Sequence, residues 1–234
     1  MQEFASIFKE KYNSALISDA AFRADVDLNS APSNVSPISP HMKMAGPIFP
    51  VQANNDLVTI LAGLHRAKQG DVLIITNPIT EVALIGDLIA TEAKRKGLAG
   101  IVVEGFVRDT MELIDINVPI FSKGTYPVGP LKLPQELKGI GHIGAKVKLG
   151  DFSILPGSWV FGDADGAIFV SQSDLPKLFE EAEKAYQREE SIANAIRSGA
   201  SLGELLDIES FIKKREANPE ADFNQHIAQL GRAI

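Results

Sequence analysis

The chain has 234 residues, of which 45% are hydrophobic and 23% charged, the composition of an ordinary globular protein that is long enough to bury a core. Thirty acidic and 23 basic side chains give a net charge of −7, which disfavours a nucleic-acid partner. The absence of cysteine excludes disulfides, a thiol nucleophile, a thiolate zinc site and an iron–sulfur cluster.

The amino-terminal segment carries charges of both signs and lacks the basic and apolar regions of a secretion signal. No apolar run of the sequence approaches the roughly 18 residues that a membrane span needs. We therefore expect a cytoplasmic protein without a membrane partner.

The first part of the chain predicts a helix over about residues 3–24, followed by a connection without helix. Five of the 13 prolines lie within residues 32–50, a density that alternates turns with extended pieces. Asp56 then predicts the N-cap of a helix over about 56–69, because apolar residues follow it at the spacing of a buried helix face and Gly70 follows as a stop.

The central part predicts strands that alternate with helices. Short apolar runs at about 71–76 and 99–104 are typical of buried strands, and a third strand is predicted at 118–122. Helices are predicted between them, over about 84–96 and 109–115. This order with short connections indicates parallel crossovers.

After residue 122 the pattern changes. Apolar runs at 158–162 and 167–170 flank a turn and predict an antiparallel hairpin. From Asp174 the composition favours helix, with a long helix over about 174–198 and two shorter helices divided at Pro219. The predicted fold class is therefore α/β with mixed sheets and a helical carboxy-terminal extension.

The most informative pattern joins two dipeptides, Gly86-Asp87 and Arg108-Asp109, with 20 residues between them. One helix and one strand fill that interval, so both dipeptides are expected at the carboxyl ends of neighbouring parallel strands, where ligands bind in open α/β sheets. Helix N-termini favour anions, arginine holds a carboxylate through two hydrogen bonds, and aspartates bind hard divalent cations. Glu112, one helical turn after Asp109, is placed to contact the same cation through a water molecule. The pattern predicts a metal site beside a carboxylate-binding pocket.

A purely structural interpretation of these residues stays open at this point. Asp87 suits a helix N-cap, and Glu112 suits the first turn of a helix. Arg108 and Asp109 also suit a surface ion pair. The polar or glycine-containing connections at 76–80 and after 104 favour function, because loops that follow core strands usually carry it.

These residues resemble the signature of the metal-dependent 4-hydroxy-4-methyl-2-oxoglutarate/4-carboxy-4-hydroxy-2-oxoadipate aldolases, which share a fold with the regulator of ribonuclease E activity A. The resemblance covers about residues 14–175. It implies a central swivelling β/β/α sandwich, assembled as a trimer or a dimer of trimers with active sites between subunits. Further matching segments are Ser18-Asp-Ala20, Gly70-Asp-Val-Leu73, Gly124-Thr-Tyr-Pro127, and Pro156-Gly157 leading to Asp163-Ala-Asp-Gly166.

The resemblance also implies a role for each matching residue. Asp109 would bind Mg²⁺ or Mn²⁺, with Asp87 and Glu112 holding its water ligands. Arg108 would bind the carboxylate or keto oxygen of the pyruvyl part of the substrate. The segment at the start of the following helix would help through backbone amides; its residues are Gly86, Leu88 and Ile89.

Two more acidic positions complete the implied site. Asp19 matches an acidic position that lines the same pocket. The family also uses a glutamate from the carboxy-terminal helix of the adjacent subunit, and the register allows Glu189 or Glu190. Beyond it, the usual tail of the family is not recognisable in residues 201–234, and Ser158 stands where the family commonly has aspartate.

We expect three regions: an amino-terminal helix at 1–30, an α/β catalytic core at 31–175 and a helical arm at 176–234. From Asp174 onward the chain carries 12 acidic and eight basic residues. This solvated pattern suits packing on a neighbouring subunit better than forming a separate core.

The implied activity is a divalent-metal-dependent lyase that cleaves a 4-hydroxy-2-oxo acid to pyruvate and a second carbonyl compound. Oxaloacetate decarboxylation would pass through the same enolate. Two alternatives stay open: a non-catalytic regulator that binds a ribonuclease or helicase, and an enzyme for a different oxo or sugar acid. The four histidines are scattered without zinc-site spacing, and no Gly-x-Ser-x-Gly elbow or S-adenosylmethionine motif is evident.

Overall fold

A computed structural model describes residues 2–54, 56–77, 81–129 and 141–230. Within these ranges the helices are α1 (Gln2–Glu10), α2 (Ser14–Arg23), α3 (Leu57–Arg66), α4 (Asp87–Lys96), α5 (Thr110–Ile116), α6 (Leu175–Arg197), α7 (Leu202–Leu205), α8 (Ile208–Ala217) and α9 (Phe223–Gln229). The strands are β1 (Leu28–Ser30), β2 (Ser36–Pro37), β3 (Met44–Gln52), β4 (Val72–Thr76), β5 (Ala83–Ile85), β6 (Gly100–Glu104), β7 (Phe106–Val107), β8 (Ile120–Ser122), β9 (His142–Ile143), β10 (Val147–Leu149), β11 (Phe152–Ile154), β12 (Trp159–Asp163) and β13 (Gly166–Val170). None of the described helices combines the length and hydropathy needed to cross a bilayer.

Nine of the described strands form one curled, mixed sheet. The strand order is β1-β13-β12-β3-β4-β6-β8-β2, and β9 pairs with the end of β3. The four strands β3, β4, β6 and β8 are parallel, whereas β1, β2, β12 and β13 pair antiparallel with their neighbours. The predicted mixed α/β class with a helical carboxy-terminal extension is therefore confirmed.

The strand β3 joins the two halves of this sheet, although its segment was predicted only as a proline-rich connection. Residues 44–47 pair with β12, and residues 48–52 pair with β4. Pro47 precedes the pairing with β4, and Pro50 lies between the segments that pair with β12 and β9. Because the N–H groups of a strand point alternately to its two sides, each proline lies where an N–H would have no ladder partner.

The core lies on both faces of the curled sheet. On the parallel half, the outer face packs against α3, α4 and α5 through residues such as Leu73 and Ile101. The inner face packs residues of β4 against those of β12 and β13, with Ile74 near Phe169 in the same cluster. On the antiparallel half, the outer face of β12 packs against α1, α2 and α6.

The segment predicted as one helix over 3–24 is two helices, α1 and α2. The side chain of Asn13 accepts a hydrogen bond from the Leu16 N–H at 2.7 Å and caps α2. Tyr12 is buried at the break, where its ring packs against Phe179 of α6. An N-cap and a buried aromatic side chain therefore favour a break over a continuous helix.

Two other boundaries differ from the predictions. Residues 84–85 belong to β5, so the helix predicted over 84–96 begins at Asp87 after the N-cap Gly86. The end of the chain contains three short described helices instead of two, because Asp207 adopts a left-handed conformation with φ of 47° between α7 and α8. The predicted strands at 71–76 and 99–104, the hairpin at 158–170 and the long helix α6 are confirmed.

The buried carboxylate of Asp163 ties α2 to the β12–β13 hairpin. It accepts hydrogen bonds from the N–H and the hydroxyl of Ser14, each at 2.6 Å. A third bond comes from the Asp165 N–H within the turn, at 3.1 Å.

We expect Asp163→Ala to lower the free energy of unfolding by about 2–3 kcal/mol, because two buried donors of Ser14 lose their acceptor. Urea denaturation followed by the fluorescence of the single tryptophan measures this change. Asp165→Ala is the matched control, since its side chain is exposed and its backbone N–H is kept, and its effect should stay within about 0.5 kcal/mol. Equal effects of the two substitutions would contradict the assignment.

Lys11 and Tyr12, which follow α1, bind α6 through the carboxylate of Glu183. Lys11 Nζ lies 2.7 Å and 2.5 Å from the two carboxylate oxygens, and the Tyr12 hydroxyl donates at 2.5 Å. These bonds, that of Lys11 first, lower the pKa of Glu183 to about 2. The charged carboxylate is therefore the form that the fold stabilises.

A carboxylate with a lowered pKa stabilises the fold above its unfolded-state pKa, and this contribution is lost as the pH falls toward about 2. We expect Glu183→Gln to be less stable than the wild type at pH 7 and to show a smaller loss of stability between pH 5 and pH 3. Denaturation at both pH values tests this. Glu180→Gln on the same helix is the control, and a Glu183→Gln profile parallel to the wild type would refute the contribution.

Candidate functional site

The candidate site is built on a small two-stranded sheet beyond the carboxyl ends of the core strands. β5 and β7 run parallel, and the Arg108 N–H donates to the Ile85 carbonyl at 3.0 Å. The residues that follow the two strands, Gly86 and Arg108, are thereby brought side by side. The spacing of the two dipeptides predicts that they lie side by side after neighbouring parallel strands. The strands that they follow are β5 and β7, and not the longer strands β4 and β6.

The carboxylate of Asp109 links the two dipeptides. Asp109 has φ of 58° and ψ of 44° at the N-cap of α5, but its side chain makes no capping bond there. One carboxylate oxygen, Oδ2, instead accepts the Asp87 N–H at 3.2 Å and lies 3.4 Å from Nε of Arg108. The carboxylate therefore lies between a guanidinium group and the amino end of α4, both of which favour negative charge.

Two glycines make room for this arrangement. A Cβ on Gly86 would lie 2.5 Å from Oδ2 of Asp109 and 3.3 Å from Nε of Arg108. A Cβ on Gly129 would collide with Nη1 of Arg108. Gly129 is not among the site residues predicted from the sequence. The one signal for it is its position two residues after the matching segment that ends at Pro127.

A cavity of about 280 Å³ lies next to these groups. Leu57 and Leu61 of α3 form one wall, β5 and the first turn of α4 form the others, and Arg108 supplies a positive charge. Leu88 in that turn is 79% exposed. The lining is otherwise apolar except for Asp87. Mostly apolar walls with one arginine suit a small organic acid.

The first turn of α4 offers the cavity fewer amides than predicted. The Asp87 N–H donates to Asp109, and the Leu88 N–H donates to Oδ1 of Asp87 at 2.8 Å. The Ile89 N–H has no hydrogen-bond acceptor among the described residues. Ile89 is therefore the amide of the three that stays available to an anion in this conformation.

The predicted metal ligands are only partly brought together. The backbone N–H of Asp87 contacts the Asp109 carboxylate, and the Asp87 carboxylate lies at the same end of α4, whereas Glu112 is exposed on α5. The described ranges contain no group of three or more histidine or acidic side chains placed to hold a metal ion. Since Mg²⁺ is usually bound through one or two carboxylates with several water ligands, the donor set of Asp87 and Asp109 fits it chemically.

The two remaining acidic positions lie together on another surface. Asp19 of α2 and Glu189 of α6 interact electrostatically: burial raises the pKa of Glu189, and the negative charge of Asp19 raises it further. Arg23 and Arg188 oppose this rise. Within the part of the chain that the structure describes, no hydrogen bond or ion pair joins Asp19 or Glu189 to Arg108 or Asp109.

The chain is similar to the proteins of one known family. Residues 14–169 match the model of the RraA-like family, described as Aldolase/RraA. A protein of Halalkalibacterium halodurans named "Putative 4-hydroxy-4-methyl-2-oxoglutarate aldolase" is 31% identical over 189 residues, which are 80% of this chain and 85% of the relative. Both α1 and the helices from α6 onward lie outside the matched segment.

Two solved structures are similar to the whole fold. An uncharacterized protein from Pseudomonas syringae pv. tomato str. DC3000 superposes with a TM-score of 0.73 at 22% identity, over 87% of this chain and 96% of its own. Streptomyces coelicolor RraAS2, described as an unusual member of the RNase ES inhibitor RraA protein family, superposes with a TM-score of 0.68 at 26% identity, over 81% and 95%. The first similarity shows the fold alone. The second is a similarity to a protein that is described as a member of a ribonuclease-inhibitor family.

We expect Gly86→Ala to lower the free energy of unfolding by about 1–3 kcal/mol, because its Cβ would displace the Asp109 carboxylate and press on the Arg108 side chain. Gly203→Ala is the matched control, since a Cβ there meets nothing within 4 Å; inside the helix α7 it should be neutral or stabilising by up to about 1 kcal/mol. Urea denaturation compares the two. A Gly86→Ala variant as stable as the wild type would show that the close approach is not maintained in solution.

Proposed function

The chain belongs to the RraA-like family, and we propose that it is a divalent-metal-dependent lyase that cleaves a 4-hydroxy-2-oxo acid to pyruvate and a second carbonyl compound. The observation that carries the proposal is the contact of Arg108 and Asp109 at the amino end of α4, beside an apolar-walled cavity. The name of the Halalkalibacterium relative supports this substrate class.

Arg108 binds the carboxylate and keto oxygen of the pyruvyl part. Its Nε is held near Asp109, and its other guanidinium nitrogens have no hydrogen-bond partner among the described residues. Planar guanidinium groups bind carboxylates through two parallel hydrogen bonds, so the free edge of Arg108 orients the substrate. The Ile89 N–H and the amino end of α4 add positive potential on the same side.

Breaking the bond between C3 and C4 of such an acid leaves an enolate of pyruvate. Arg108 stabilises the negative charge that develops on its oxygen, and it does so as a preorganised group next to the cavity. Asp109 and Asp87 would hold a bound Mg²⁺ or Mn²⁺, which would supply further positive charge to stabilise the enolate. Decarboxylation of oxaloacetate produces the same enolate and is expected as a second activity.

A base must accept the proton from the C4 hydroxyl as the bond breaks. Glu189 is exposed on α6, and partial desolvation and the negative charge of Asp19 raise its pKa. It is therefore a better proton acceptor than an ordinary glutamate, and we assign it this role. No described contact joins Asp19 or Glu189 to Arg108 within one chain. We therefore propose that the protein forms a trimer in which α2 and α6 of one copy lie against the cavity of the next copy.

The test is release of pyruvate from a panel of 4-hydroxy-2-oxo acids, coupled to lactate dehydrogenase, with Mg²⁺, with Mn²⁺ and with EDTA. We expect Arg108→Ala and Asp109→Ala each to lose about 2.7–4 kcal/mol of transition-state stabilisation, which is about 10²–10³ in kcat. Arg95→Ala on the exposed side of α4 is the matched control and should keep its rate, since Arg95 pairs only with Glu92 among the described residues. An unchanged rate in Arg108→Ala would overturn the site, and an unchanged rate with EDTA would overturn the metal.

The likeness to Streptomyces coelicolor RraAS2 favours a second candidate, a non-catalytic regulator that binds a ribonuclease. The two candidates differ in what they require of the site, because a regulator needs neither Arg108 nor a divalent cation. A stable complex with a ribonuclease, together with no pyruvate release from any oxo acid of the panel, would favour regulation.

A further inference from the structure

A second and larger cavity, of about 380 Å³, lies at the opposite end of the parallel strands. Its floor includes Gly70 and Ala99, which precede β4 and β6, whereas Arg108 lies beyond the carboxyl end of β6. The five residues of β6 therefore separate the two cavities, which is about 17 Å of extended strand. The two cavities share no lining residue.

The roof of this cavity is α1, through Ala5 and Lys9. α1 lies outside the segment that matches the family model. The helix is held firmly, because Phe8 is fully buried against Phe161 and Lys43 donates to the carbonyl oxygens of Lys9 and Tyr12. The cavity is therefore a built feature of the fold.

The indole of Trp159 borders the cavity and is 1% exposed. Its Nε1 is buried and has no hydrogen-bond acceptor among the described residues. Buried donors in native proteins almost always have a partner. Trp159 also lines the cavity, so a molecule bound there would pack against this residue.

Lys9 supplies the charge of the cavity. Its ammonium group makes no hydrogen bond or ion pair with any described residue, and no acidic side chain lines the cavity. The Lys9 side chain is exposed at the edge of the cavity. Partial desolvation lowers its pKa, and a bound anion would counter this shift. In a chain with a net charge of −7, this lining selects for an anion.

The remaining walls are mostly apolar, and Leu98, Ala45 and Trp159 contribute to them. The cavity volume is at the lower end of the range of about 300–1,000 Å³ for small-molecule sites. We propose that this cavity binds a small organic acid with an apolar body, whose carboxylate pairs with Lys9 and whose body packs on Trp159 under α1. The site is independent of the proposed lyase activity.

The chain contains a single tryptophan, so its intrinsic fluorescence reports on this cavity directly. We expect hexanoate, an optically silent probe, to change the Trp159 emission saturably below about 20 mM and to raise the thermal midpoint. Hexanamide, which has the same body without the charge, should bind at least about tenfold more weakly.

Substitutions distinguish binding at Lys9 from binding at Arg108 in the candidate active site. Lys9→Gln should weaken hexanoate at least about tenfold, while Lys213→Gln, an equal charge change at an exposed position of α8, should not. Ala5→Leu, which fills the roof, should abolish the response with the fold kept by circular dichroism. Arg108→Ala should keep the fluorescence response to hexanoate.

Four outcomes would overturn the proposal. These are a response that does not saturate, equal binding of hexanamide, unchanged binding in both Lys9→Gln and Ala5→Leu, and loss of binding in Arg108→Ala. The first would mean that the cavity holds water alone, and the last would place the anion at the candidate active site. If Lys9→Gln fails to fold, Ala5→Leu and the comparison with hexanamide decide the question.

Discussion

The strand β3 is the constraint on which the fold depends, because it belongs to both halves of the curled sheet. Its first residues pair antiparallel with β12, and its last residues pair parallel with β4. The first half carries α1, α2 and α6, and the second half carries α3, α4 and α5. The larger cavity, which is roofed by α1, lies where these two halves meet, since its lining includes both Trp159 of β12 and Gly70, which precedes β4.

The candidate site depends on a more local interaction, the backbone pairing of β5 with β7. Once that pairing brings Gly86 beside Arg108, the Asp109 carboxylate contacts the amino end of α4 and the guanidinium group at once. In a protein of net charge −7, the anionic substrate that we propose needs such a concentrated positive potential, because the overall field repels it. The proposed divalent cation would add to this potential.

The core that matches the family and the segments outside it contribute differently. The matched residues 14–169 contain β5, β7 and the two dipeptides, and we propose that they carry the chemistry. α1 roofs a second cavity, and α6 carries Glu189, which we propose acts across a subunit interface. Both features therefore lie on helices outside the segment that matches the family model.

The sequence by itself determined the buried strands, the long helix α6 and the pairing of two dipeptides, since these follow from local hydrophobic period and spacing. It did not reveal β3, because its prolines are tolerated only where neighbouring strands leave a gap in the ladder. Nor did it reveal Gly129 against Arg108 or the orphaned indole of Trp159. The tertiary structure alone decided these, because each depends on contacts between segments far apart in the chain.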